Sequence, residues 1–285
     1  MRLNLILRYR PPGEQGLSAP TGSLAPWPAG RGRRPGAGAR GWRAVRSRPV
    51  PSAPKPTPDP KEEAGRRAAE FVEDGMTLGL GTGSTVHFAL LRLCERIRSQ
   101  ALRVRGVPTS LETERKAREW GIPLVDLGQV EALDLALDGA DEIDPMFRMI
   151  KGGGGALLRE KVVASLARRV VIVVGENKVV ARLGTTFALP VEVVPFALPS
   201  VARAIAALGC VPTERQREGR AYRTDNGNAI LDCAFARGIE DPERLERTLR
   251  TIPGVVESGL FIGLAQVLVV GKNDGTVEVR ERAGA

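Results

Sequence analysis

Between Leu133 and Glu160 the chain sets out, in one short span, a buried strand, a cluster of charges and a backbone without side chains. Leu133-Asp134-Leu135-Ala136-Leu137 is an apolar-rich run ending in Asp138, the pattern of a central strand in an α/β sheet. Ligands of open α/β sheets bind at the carboxyl edge of the strands, where Asp138 and Asp141 would stand. Asp138-Gly139 by itself also reads as turn chemistry. The residues that follow narrow the choice: Asp141 and Glu142, then Lys151, then Gly152, Gly153, Gly154 and Gly155, then a helix carrying Glu160. Three acids, a lysine and a second-turn glutamate are expected to gather around the glycines.

Missing Cβ atoms let a backbone approach a ligand closely, and unpaired N–H groups at a helix start attract anions. Wrapped at about 100° per residue, the helix puts Lys161, Ser165, Arg168 and Arg169 in one polar arc. Glu160 falls instead among Ala156, Val163, Ala164 and Ala167, where a surface glutamate does not belong. A carboxylate turned toward packed backbone loses solvation, so its pKa is expected to rise toward the range of a general base. The competing reading is a structural ion pair of Glu160 with Lys151 or an arginine.

The formal charge of +9 invites an acidic partner, but residues 1–60 hold 11 Lys or Arg against two acids. The rest carries 31 basic and 31 acidic residues, which gives no electrostatic case for nucleic acid. The same 60 residues hold 12 of the 21 prolines, so residues 1–58 are expected to form a disordered Pro/Gly/Arg-rich extension or a misassigned start. Three cysteines and one histidine show no metal-ligand spacing, so no metal is expected. No apolar run approaches a membrane span. A soluble cytoplasmic protein without membrane contact is the expectation.

Asp59-Pro60-Lys61-Glu62 reads as a helix opening, and Met76 to Leu80 as the first strand. Gly79-Leu80-Gly81-Thr82-Gly83-Ser84-Thr85 then enters a helix and only half fits a dinucleotide fingerprint. The second strand, Leu102 to Val107, ends in Pro108-Thr109-Ser110 rather than in the acid a nicotinamide ribose needs, which suits phosphate better. His87, in the first turn of that helix, reads as packed or capping. Ile122 to Asp126 is expected to form a third strand and Val170 to Val174 another, with Lys178 just past its carboxyl end. From Phe187 the order becomes βαββαβ, the ferredoxin-like pattern, and Ala265 to Val270 is expected to rejoin the first sheet. The expected fold is α/β: a Rossmann-like parallel-sheet domain over 59–186, an inserted ferredoxin-like α+β lid or oligomerisation domain over 187–262, and a return over 263–285. The residues read as a small, cofactor-free enzyme working on a sugar phosphate; a sugar-phosphate sensor, a nicotinamide oxidoreductase and a transferase using Glu160 as nucleophile compete with it.

Gly81-Thr82-Gly83-Ser84-Thr85, Asp138-Gly139-Ala140-Asp141-Glu142, Lys151-Gly152-Gly153-Gly154 and Arg159-Glu160-Lys161, in that order, resemble ribose-5-phosphate isomerase, type A. The resemblance spans about residues 61 to 280 and includes Leu189-Pro190-Val191-Glu192-Val193, Thr224-Asp225-Asn226-Gly227-Asn228 and Ile252-Pro253-Gly254-Val255-Val256. It implies interconversion of D-ribose 5-phosphate and D-ribulose 5-phosphate, without metal or cofactor, in a homodimer or tetramer. It further implies Glu160 as general base, with Asp138, Asp141 and Lys151 as active-site acids and lysine. Ser84, Thr85, Lys61 and Lys178 would line the substrate and phosphate region, with Gly81, Thr82, Gly83, Gly152, Gly153 and Gly154 as substrate-binding backbone. A small variable residue is expected where Gly155 stands.

Overall fold

A computed structural model describes residues 59–283; the extension expected to be disordered, 1–58, lies outside the described residues. Asp59 accepts from the Lys61 N–H and caps α1 (Pro60–Ala69), with Pro60 pre-set for the first turn. β1 (Thr77–Leu80) leads into α2 (Ser84–Gln100), then β2 (Arg105–Pro108). Ser110 caps α3 (Leu111–Trp120) and Gly121, left-handed at φ +77°, ends it. β3 (Leu133–Asp138) follows, then short β4 (Glu142–Ile143) and β5 (Met149–Ile150), then α4 (Leu157–Leu166) and β6 (Ala167–Gly175).

The second half runs β7 (Leu189–Val193), α5 (Leu198–Ala206), β8 (Val211–Glu214), the β9–β10 hairpin (Gln216–Arg217, Arg220–Ala221) and β11 (Ala229–Ala234). It closes with α6 (Pro242–Arg250), β12 (Val255–Ser258), β13 (Leu260–Phe261), β14 (Val267–Gly271) and β15 (Val277–Glu281).

The main sheet has the order β15-β14-β6-β3-β1-β2, parallel throughout except for β15. Strand order reverses between β1 and β3, which opens a crevice at their carboxyl ends. Alternation along β6 explains its unbroken apolar run. Val171 and Val173 face Ala64, Ala68, Val86 and Leu93 of α1 and α2. Val170, Ile172 and Val174 face Leu157, Val163 and Ala164 of α4. Both faces are covered, so neither side of the strand can be polar.

A second sheet, β12-β7-β11-β8, is wholly antiparallel. One face packs on α5 and α6 through Val191, Val193, Val201, Ile205 and Leu249. From its other face Ile230 joins the cluster around α4. A small sheet, β13-β5-β4, ties the two halves together.

The return of the chain to the first sheet appears as β14, paired with β6. Three local expectations differ. Ile122 to Asp126 makes only a single bridge, Leu124 to Gly106, and is no strand. Val170–Val174 is longer than expected, starting at Ala167, so Arg168 and Arg169 belong to β6 and not to the helix. β15, β4, β5 and β13 were not foreseen.

Candidate active site

Lys151 leaves β5 and carries its ammonium to the carboxyl edge of β3. Its Nζ donates to the Gly139 carbonyl oxygen at 2.6 Å and stands 3.0 Å from Asp138 Oδ2 and 3.3 Å from Glu160 Oε2. None of the three side chains is more than 6% exposed. Charges so far from water are tolerated only when they face one another.

Burial pushes the Glu160 carboxyl up to about 8, against the opposing pull of Lys151. Burial raises Asp138 too, opposed by Lys151 and by the N–H groups of Gly139 and Thr82, at 2.8 and 3.3 Å from Oδ1. Burial would depress Lys151, but the attraction of Asp138 and then Glu160 outweighs it, and the ammonium is held above its ordinary range. One cation cannot balance two carboxylates. Asp138 has the nearer cation and two backbone donors. Glu160 Oε2 stands 3.3 Å from Lys151 Nζ but receives no aligned hydrogen bond, so its charged form is the less supported of the two.

Above this group lies a cleft of ≈ 170 Å³. Lys61, Thr82, Gly83, Ser84, Thr85, Asp141, Lys151, Gly152, Gly153, Gly154, Glu160 and Lys178 all line it. Asp138 and Gly81 sit beneath, and any side chain at Gly81 would strike the Asp138 carboxylate. Asn177, between Gly175 and Lys178, also lines the cleft and carried no recognisable signal in the sequence.

The glycine loop is held in conformations that side chains resist. Gly152 has φ +104° and Gly155 φ +81°, and the Gly155 N–H closes a turn on the Gly152 carbonyl at 2.9 Å. The Gly153 N–H donates to Asp141 Oδ2 at 2.7 Å, and a Cβ on Gly153 would fall 2.6 Å from Asp141 Oδ1. A Cβ at Gly155 would run into the Tyr222 ring.

At the other end of the cleft, α2 begins after Gly83 (φ +129°) with no side chain capping it, which leaves first-turn N–H groups for an anion. Lys61 Nζ donates to Ser84 Oγ at 3.4 Å, bringing a cation from α1 to the same spot. The Thr82 hydroxyl bonds Thr109, Ser110 and Thr113 at 2.9 to 3.0 Å and serves the loop. His87 packs edge-on to Phe88 and Trp120, in line with the packing role.

Two expectations fail here. Glu142 is fully buried and turned from the glycines; it accepts from the Gly184, Thr186 and Phe187 N–H groups and the Thr186 hydroxyl. It anchors the segment entering the second sheet. Lys161 is not on a solvated arc: its Nζ donates to Glu257 Oε1 at 2.7 Å and the Ser258 carbonyl at 2.8 Å. The second sheet covers that face of α4. Among the described residues, no three His, Cys, Asp or Glu side chains converge so as to hold a metal ion. No described helix is long and apolar enough to cross a membrane.

The family model for ribose 5-phosphate isomerase A (phosphoriboisomerase A) matches residues 105–275. A ribose-5-phosphate isomerase A of Roseiflexus sp. (strain RS-1) is 52% identical over 221 residues, 77% of this chain and 94% of the relative. Ribose-5-phosphate isomerase A 1 of Oceanobacillus iheyensis is 48% identical over 214 residues, 75% of this chain and 95% of its own. The solved ribose 5-phosphate isomerase A of Methanocaldococcus jannaschii superposes with a TM-score of 0.74 at 40% identity, covering 78% of this chain and 98% of that one. With identity well above chance across nearly the whole length of these relatives, the chain belongs to the ribose 5-phosphate isomerase A family.

Proposed function

We propose that the cleft interconverts D-ribose 5-phosphate and D-ribulose 5-phosphate, an aldose–ketose isomerisation of the non-oxidative pentose phosphate pathway, through a cis-enediolate. One observation carries the reading: a buried carboxyl, Glu160, with its pKa raised to about 8, borders the cleft beside Lys151 and the glycine loop. An aldose becomes a ketose when the C2 proton is removed, passed to C1 on the same face, and the O1 and O2 protons are exchanged. Glu160 is the base that takes and returns the carbon proton. Lys151 and the loop N–H groups stabilise the negative charge on the enediolate oxygens. Asp138 and Asp141 hold hydroxyls, with Asp138 assisting ring opening and exchange between O1 and O2. The 5-phosphate rests on Ser84, Thr85, Lys61, Lys178 and the start of α2, and orients a small flexible sugar.

The same reading takes residues 59–186 with 263–285 as a Rossmann-like catalytic domain, a view supported by the parallel order and the crevice between β1 and β3. Residues 187–262 are a ferredoxin-like domain, supported by the order β12-β7-β11-β8, the fourth-first-third-second arrangement of a βαββαβ unit. It acts as lid or oligomerisation surface in a cytoplasmic homodimer or tetramer that needs no metal.

A coupled assay for ribulose 5-phosphate, run with chelator, tests the activity. Glu160→Gln is expected to leave folding and phosphate binding near normal and to lower kcat by about 10² or more. Near wild-type turnover in that variant would remove the base assignment.

A further inference from the structure

A run of glycines carries no steric preference for the orientation of its own peptide planes. Turning one plane over changes ψ of the residue before and φ of the residue after, and glycine on both sides accepts either setting. Yet the isomerase reading needs the N–H edges, not the carbonyl oxygens, on the cleft side. The Gly155 N–H reaches the Gly152 carbonyl from within the loop at 2.9 Å, and the other constraints come from outside it.

Those act on the carbonyls. Arg215, just past β8, donates from Nη1 to the Gly152 carbonyl oxygen at 2.7 Å and to that of Gly153 at 3.2 Å. Its Nε and Nη2 donate to Asp232 Oδ2 and Oδ1 at 2.9 and 2.5 Å, which locks the guanidinium plane. Tyr222, whose ring lies 6.0 Å from that guanidinium, donates its hydroxyl to the next carbonyl, Gly154, at 3.3 Å. Three successive carbonyls are therefore held by two side chains from the antiparallel half. In a trans peptide the N–H points opposite to the C=O. The peptide whose oxygen binds Arg215 is the one whose nitrogen, that of Gly153, donates to Asp141. A single peptide unit thus couples the guanidinium to an active-site carboxylate.

We infer that Arg215, fixed by Asp232, is a positioning residue for catalysis: it sets the glycine-loop peptides so that the Gly153 N–H orients Asp141 and the Gly154 N–H faces the reacting sugar. The inference rests on the isomerase reading. With Arg215 gone, a flipped Gly152–Gly153 peptide would set its oxygen against the Asp141 carboxylate. The charge-assisted bonds to the carbonyls also polarise the amides at their far ends. Both effects act on the charge of the enediolate, so they belong to kcat more than to KM.

The test compares Arg215→Met, Arg215→Lys and a control, Asp225→Ala, in steady-state isomerisation of ribose 5-phosphate alongside thermal denaturation. Asp225 also joins the two halves, accepting from the Leu111 N–H at 2.8 Å, but lies off the loop. Arg215→Met is expected to lower kcat by about 10- to 100-fold, somewhat less than loss of a direct oxyanion donor, with KM within about threefold. Arg215→Lys keeps the charge but not the fork, and is expected to fall between. Asp225→Ala is expected to lower Tm and keep kcat. Equal kcat losses in Arg215→Met and Asp225→Ala would reduce Arg215 to a clamp and overturn the inference. So would full kcat in a folded Arg215→Lys or Arg215→Met. Should Arg215→Met not fold, Arg215→Lys decides alone. An inactive wild type would instead strike the isomerase reading itself.

Discussion

Glu160 is a cost to the fold and, in the function proposed above, a tool. Its carboxyl holds a proton up to about pH 8 in the folded protein, against an ordinary value of 4.5, chiefly because it is buried. For an acid with a raised folded pKa, the folded state binds more protons than the unfolded one between those two values. Stability from this group is therefore complete below about pH 4.5 and is lost progressively as pH rises toward 8. Glu160→Gln is expected to gain Tm relative to wild type across that window and to run parallel above it, as pH-dependent melting curves would show. In the proposed role of base the kinetic sign is opposite, since a base must be ionised: kcat/KM is expected to climb along a limb centred near pH 8. A flat profile between pH 6.5 and 8.5 would mean that another group takes the proton. Glu160, Lys151 and Asp138 were legible in the sequence because 23 residues of chain hold all three, and helical phase alone turned Glu160 inward. Glu142 was misread from the same stretch, because what it binds, Gly184 to Phe187, lies more than 40 residues away.

Among the elements, α4 decides whether the site exists. It is buried on two sides, presenting Glu160 to the cleft and Lys161 to β12, so a polar arc drawn from α4 alone fails for Lys161. The helix also ends at Leu166, and after Ala167 come two arginines that look helical but lie in β6. Nothing local in the sequence reveals a covering sheet whose partner residues lie 96 positions later. The ion pair of Lys161 and Glu257, with the lysine 9% and the glutamate 15% exposed, is expected to matter to stability in an asymmetric way. Lys161→Met leaves Glu257 charged and largely buried, with the Ser258 N–H as its one remaining donor among the described residues, at 2.8 Å. A loss of about 3 kcal/mol is expected, the low end of the range for breaking a buried pair. Lys161→Met with Glu257→Leu is expected to recover most of it, since removing both charges spares the desolvation of either. Urea midpoints at constant m would measure both; a double variant as unstable as the single one would show that the pair contributes specific attraction beyond its own desolvation.

At the scale of the whole molecule, the two sheets are joined at the cleft by directional bonds as well as apolar contact. Lys161 reaches β12, Arg215 reaches the glycine loop, and the turn after Thr224 reaches both α3 and α4 through Asp225 and Asn226. Glu192, fully buried, holds that turn by accepting from Thr224, Asn226 and Asn228. The order of elements in each half was legible because period and turn signals are local; their junction was not, because it depends on pairs that meet only after both halves have formed. The last element of the site is its first in sequence. Lys61 stands at the second position of α1, and Asp59 caps that helix, so the end of the cleft proposed for the phosphate depends on the first turn of α1. Removal of residues 1–58 is expected to leave kcat and KM within about twofold, since 214 to 221 residues of this chain suffice to match 94 to 95% of the length of its relatives. Removal of residues 1–61 is expected to raise KM for ribose 5-phosphate about tenfold, because it takes both the cap and the ammonium that donates to Ser84, the loss of one charged phosphate contact. The two truncations, assayed side by side at the same ionic strength, separate the cases. A large kcat loss in the shorter truncation would give the extension a part in catalysis, whereas an unchanged KM in the longer one would take Lys61 out of the phosphate site.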